Sequence, residues 1–117
     1  MLTFYHYARC STCINAKKYL TAHGHILAEI DITTNPPSAE TLANLIEKSG
    51  RPYTDFLNRS GIQYREQNIK EKLQHLSTEQ IIKLMASDGR LIKRPIVTDG
   101  KKVTVGFKEE DFDQHWG

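Results

Sequence analysis

A pair of cysteines at a strand-to-helix junction constrains this chain more than any other feature. The segment Leu2-Thr3-Phe4-Tyr5-His6-Tyr7 has the β-rich composition of a strand, and Ile14-Asn15-Ala16-Lys17-Lys18-Tyr19-Leu20 reads as a helix. Between them stands Cys10-Ser11-Thr12-Cys13, the only two cysteines of the 117 residues. A thiol at such a junction faces the positive end of the helix dipole and backbone N–H groups without helical partners. Those groups favour the thiolate, which is the reactive form of cysteine. Cys10 is therefore the expected nucleophile. Cys13, one turn inside the helix, is either a resolving thiol or an inward-facing helix residue.

The expected element order follows from periodicity and punctuation. Strand 2–7 leads to a helix over about 12–23, stopped by Gly24, and then to a second strand, 26–32. This spacing suggests a βαβ unit with two parallel strands. After Pro36-Pro37, Ser38 caps a helix over about 39–49, which Gly50 ends. Residues around 53–57 and 66–74 read as two short helices. Ser77-Thr78-Glu79-Gln80 reads as a capping box that opens a helix ended by Asp88-Gly89. Strands at 95–98 and 102–107 flank Asp99-Gly100, which reads as a tight hairpin turn with positive φ angles. A final helix, about 108–115, should return Phe112 and Trp116 to the core.

The resulting α/β order is β-α-β, then helices, then β-β-α. It predicts a thioredoxin-like fold: one domain over residues 1–117 with a mixed sheet and a helical insertion over about 36–90. A CxxC at the first βα junction is where that plan places its thiols. The length suits one compact domain. With 16 basic and 14 acidic side chains, bulk charge gives no reason to expect direct nucleic-acid or membrane binding. The first segment lacks the pattern of a signal peptide, so the expected location is cytoplasmic, where a CxxC is more often reactive than structural.

Other residues join the candidate site. His6 can support the Cys10 thiolate or stand as a strand residue facing water. Arg94-Pro95 precedes a strand that this plan sets across the cleft from the thiols. Arg94 is either a bidentate oxyanion fork or a member of the solvated basic run with Arg90 and Lys93. Arg9 can assist Cys10 or point to water, and the lysine pairs 17–18 and 101–102 read as solvated. A zinc site on His6, Cys10 and Cys13 lacks an evident fourth ligand, so no metal is expected. No bound cofactor is expected either.

Four segments together resemble the arsenate reductase (ArsC) family of thioredoxin-like proteins, which includes the Spx-type regulators. They are Tyr5-His6 ahead of Cys10, Asn35-Pro36-Pro37-Ser38, Leu91-Ile92-Lys93-Arg94-Pro95-Ile96-Val97 and Val105-Gly106-Phe107. The resemblance implies that Cys10 attacks arsenate, that His6 supports it, and that Arg94 grips the oxyanion ahead of a cis Pro95. It implies reduction by glutathione, a glutaredoxin or thioredoxin. The implied substrate contacts are Arg94, Arg59, Ser11, Thr12 and Pro95.

Three departures qualify what the resemblance implies. Cys13 stands where reductases that use external thiols commonly have serine. Arg59 is offset by one from an expected arginine. A third arginine, expected near Phe107-Lys108, is missing. Each lost charged donor costs about 1.5–3 kcal/mol of anion binding. The CxxC and the Val-Gly-aromatic segment look more like the Spx side of the family, which implies an alternative: a redox switch binding RNA polymerase through a surface controlled by a Cys10–Cys13 disulfide. The expected partners are thus an oxyanion or a protein thiol or disulfide, a thiol reductant, and, in the alternative, the polymerase.

Overall fold

A computed structural model describes residues 1–117. Its centre is a four-stranded sheet in the order β2-β1-β3-β4. β1 (Leu2–His6) and β2 (Leu27–Asp31) run parallel and are joined by α1 (Ser11–Ala22). β3 (Ile96–Thr98) and β4 (Val103–Val105) form an antiparallel hairpin, and β3 lies antiparallel to β1. A last helix, α6 (Glu109–His115), follows the hairpin. Between the β-α-β and β-β-α halves lie α2 (Ala39–Ser49), α3 (Ile62–Glu66), α4 (Ile69–His75) and α5 (Thr78–Ser87), with 3-10 turns at Tyr53–Phe56 and Gly89–Leu91. This is the expected thioredoxin-like plan. No helix is long and apolar enough to cross a membrane.

Alternation along the strands divides the core between the two sheet faces. Leu2 and Phe4 of β1 and Val97 of β3 pack with Cys13, Ala16 and Leu20 of α1 and with Phe112 and Trp116 at the chain's end. The Trp116 indole N–H donates to the Thr104 hydroxyl at 3.0 Å, so its polar atom is satisfied in a buried setting. Tyr5, Ile96 and Val103 point the other way, onto Leu42, Leu45 and Ile46 of α2 and Ile81, Ile82 and Met85 of α5. Full burial of a side chain such as Phe4 contributes about 1.5–3 kcal/mol. The register Phe4↔Val97 and Tyr5↔Ile96 keeps each pair on its own face.

The helix signals work as local chemistry. The Ser38 hydroxyl accepts from the Thr41 N–H at 3.2 Å. Ser77 and Gln80 form the reciprocal capping box, with bonds of 2.9 and 3.2 Å. Two expectations are corrected. The stretch 66–74 is not one helix: Asn68 takes a left-handed conformation (φ 51°) and divides α3 from α4. The hairpin loop is four residues, Asp99 to Lys102, so the second strand of the hairpin starts at Val103 rather than at 102. The Asp99 carboxylate accepts the N–H groups of Lys101 and Lys102, both at 2.9 Å, and Gly100 alone in the loop has positive φ (96°).

Gly89 shows how tightly the inserted helices close on the sheet. A Cβ placed there would lie 1.7 Å from the Ile32 carbonyl oxygen and 2.6 Å from its carbon, both backbone atoms. Gly89→Ala should therefore destabilise the fold by about 3 kcal/mol or more. Urea unfolding checks this: the midpoint should fall with the slope unchanged. A shift below about 0.5 kcal/mol would contradict the close approach.

Candidate active site around Cys10

β1 ends at His6, and a turn closed by the Cys10 N–H on the Tyr7 carbonyl (3.1 Å) delivers the chain to α1. Cys10 is the N-cap of that helix, with extended backbone (φ −90°, ψ 112°). Its sulfur accepts the Cys13 N–H at 3.3 Å, the role a serine or aspartate oxygen usually fills. No acidic residue occupies the first turn of α1, so nothing there offsets the positive helix end.

The two thiols are driven apart. Partial burial pushes the Cys10 thiol up, but hydrogen bonds from Cys13, side chain and backbone, and the Arg94 guanidinium bring it below its ordinary value. Cys13 is 2 % exposed in the core formed with Phe4, Val97 and Phe112. Burial first, then the neighbouring Cys10 sulfur, push its thiol up to about 12. Of the two, Cys10 is therefore the thiol that ionises first.

Arg94 comes from the segment just before β3, where the Arg94–Pro95 bond is cis. The insertion fixes that segment: the Lys93 N–H donates to the Phe56 carbonyl at 2.7 Å and the Asn58 N–H to the Leu91 carbonyl at 2.8 Å. The Arg94 guanidinium lies over the Tyr7 ring, 5.3 Å from its centroid. Its Nε is buried and has no acceptor. Its Nη1 donates to the Ile92 carbonyl at 3.5 Å.

Cys10, Thr12 and Arg94 line one cleft of about 490 Å³. Arg51, Lys93 and Lys108 also line it, with Asp55 and Asp111, so four cations face two carboxylates around the sulfur. Gly106 lines the same wall with φ 76°, and a Cβ there would lie 3.1 Å from Cε of Lys93. The bare glycine thus leaves room for the Lys93 stem to reach the cleft.

The remaining expected site residues distribute as follows. Ser11 is exposed in the first turn of α1, and Pro95 follows Arg94 at the start of β3, with its carbonyl accepting the Gly106 N–H at 2.8 Å. His6 shares the Phe4 side of β1, stacks on the Phe4 ring at 5.4 Å and lies 3.7 Å from the Glu29 carboxylate. Arg59 lines an adjoining pocket of about 170 Å³ that shares Asp55, Asn58, Ser60 and Lys93 with the thiol cleft, and it donates to the Thr54 carbonyl at 3.4 Å. Thus Cys10, Cys13, Thr12 and Arg94 come together, while Arg59 stands outside the thiol cleft.

Sequence reasoning missed Arg51, Asp55, Lys93 and Asp111 as cleft residues. Arg51 follows directly on Gly50, and no local pattern joins it to α6, which lies 60 positions later. Lys108 sits where the family pattern led to an arginine, so that signal was available but was read as a gap.

Selective alkylation checks the separation of the thiols. Iodoacetamide at neutral pH should label Cys10 and leave Cys13 unlabelled until the protein unfolds. A lowered pKa means that the thiolate persists to lower pH, so the rate should rise through a midpoint below that of a free thiol. Arg94→Ala should move the midpoint to higher pH and slow labelling near neutrality severalfold. Equal labelling of both cysteines would contradict the arrangement.

Comparisons with known proteins agree with this geometry. Residues 5–115 match the model of the ArsC family. The chain is 56% identical over 115 residues to the uncharacterized protein YusI of Bacillus subtilis, covering 98% of both chains. A possible arsenate reductase from Streptococcus mutans has the same fold, with TM-score 0.86 and 43% identity over 97% of this chain and 98% of that one. The global transcriptional regulator Spx of Streptococcus mutans is 25% identical over 95% of this chain and 80% of its own length. With its thiol pair at the β1–α1 junction and its arginine ahead of the cis proline, the chain belongs to the ArsC family.

Proposed function

We propose that this protein is a thiol-dependent oxidoreductase in which the Cys10 thiolate attacks an oxyanion, with arsenate as the model substrate, or a disulfide. One observation carries the reading. A sulfur biased toward the thiolate shares a cleft with the Arg94 guanidinium and three further cations. An oxyanion presents several acceptor oxygens to such a donor, and its charge suits the cations around it.

The chemistry balances with a second thiol. The Cys10 sulfur bonds to arsenic(V) and one oxygen leaves as water after protonation. A second thiolate then attacks the Cys10 sulfur. The S–S bond forms, the electron pair of the S–As bond stays on arsenic, and arsenic(III) leaves as arsenite. An external thiol then reduces the disulfide. With a disulfide substrate, Cys10 forms a mixed disulfide and expels the other sulfur as thiolate.

Cys13 or an external thiol, glutathione, a glutaredoxin or thioredoxin, supplies the second sulfur. In the resting protein Cys13 is buried and protonated. Its burial persists when Cys10 becomes an adduct, but the hydrogen bond and charge of the Cys10 thiolate, which also push Cys13 up, then disappear. Adduct formation itself thus favours the attack of Cys13. A second reading follows from the likeness to Spx and from both sulfurs lying on one helical turn: a disulfide switch that docks on RNA polymerase. Polymerase pull-down by the oxidised form alone, or the reduced form alone, would favour it.

The test is arsenate-dependent NADPH oxidation with complete glutaredoxin or thioredoxin recycling systems. Turnover is expected with one of them and should fall to background in Cys10→Ser. No turnover from folded, reduced protein would reject arsenate as the working substrate. Turnover surviving in Cys10→Ser would reject the nucleophile.

A further inference from the structure

Arg51 sits at the mouth of the Cys10 cleft, and its charge is already engaged. Its Nη1 lies 3.7 Å from the Asp55 carboxylate and its Nη2 3.5 Å from the Asp111 carboxylate. The two aspartates are far apart in the sequence, one from the 3-10 turn of the insertion and the other from the first turn of α6. All three side chains line the thiol cleft. The Arg51 backbone is anchored, its N–H donating to the Ser49 hydroxyl at 3.1 Å, while the side chain is 46 % exposed.

We propose that Arg51 is a specificity-determining anion-binding residue of the Cys10 cleft, held in reserve by Asp55 and Asp111. The inference rests on the oxyanion reading of the Cys10 cleft. A guanidinium offers an oxyanion the same paired N–H edge that it offers a carboxylate. Its present pairs are long and water-exposed, the kind that exchange readily. An anion entering beside Cys10 competes with the aspartates for that edge, while Lys93, Arg94 and Lys108 complete the positive wall. The two carboxylates therefore set the threshold. With Arg51 present one of their two charges is offset; without it both bear on the incoming anion.

Alkylation of Cys10 in the full-length protein reads this directly. Iodoacetate is an anion and iodoacetamide a neutral reagent of the same reactivity class, so their rate ratio normalises for any general change in the thiol. Arg51→Met should lower the iodoacetate-to-iodoacetamide ratio about three- to tenfold, and Arg51→Lys should restore part of it. Asp111→Asn, which frees the guanidinium without removing it, should raise the ratio, and inorganic arsenate should protect Cys10 at lower concentration than in the wild type. A thermal midpoint for each variant separates a bridging role, since loss of a mere tie between the insertion and α6 lowers the midpoint and leaves the ratio alone. A ratio unchanged within about twofold in both Arg51→Met and Asp111→Asn overturns the inference while leaving the Cys10 reading intact. A Cys10 inert to both reagents in the wild type overturns both.

Discussion

The bond from the Cys13 N–H to the Cys10 sulfur is the interaction on which the site depends. It makes the thiol the N-cap of α1 and thereby joins helix formation to sulfur chemistry. A thiolate accepts that bond better than a thiol, so the cap that starts the helix also favours ionisation. The same turn of helix buries Cys13. One local geometry thus yields two sulfurs with opposite preferences, one biased toward the thiolate and reachable, the other held protonated and buried.

The two sides of the sheet hold the two halves of the site. On one face, Cys13, Ala16 and Leu20 pack against Phe4, Val97 and Phe112, which fixes the axis of α1 and the position of its first turn. On the other, the inserted helices form the larger core with Tyr5 and Ile96. The insertion also bonds to the segment that carries Lys93 and Arg94, through Phe56, Asn58 and the bridge between Leu57 and Ile92. The cleft lies where these supports meet. Its cations come from elements far apart in the chain, so its electrostatics are a property of the tertiary fold rather than of any motif.

That division explains what could be read from the residues. The thiol pair, the capped helices and the two β units are local patterns, and each was legible because capping and periodicity act over a few positions. Arg94 was legible because it adjoins a proline before a strand. Asn68, a residue tolerant of left-handed backbone, carried a weak signal for the division of α3 from α4, which was overlooked. The Asp99-Gly100 pair marked a turn correctly but not its length, since the Asp99 side chain, not the backbone alone, organises the loop. Arg51, Asp55 and Asp111 were illegible as a group, because their meeting depends on how the insertion packs against α6. Arg59 was placed by sequence offset alone, and the turn at Tyr53–Phe56 sends it to the neighbouring pocket.

In the resting protein the fold separates two chemically identical thiols into one that ionises readily and one held protonated. Titration of the cysteine Cβ resonances in isotope-labelled, reduced protein tests it most directly. Two steps far apart are expected, Cys10 below the range of a free thiol and Cys13 at about 12. Two overlapping steps in the ordinary thiol range would contradict it.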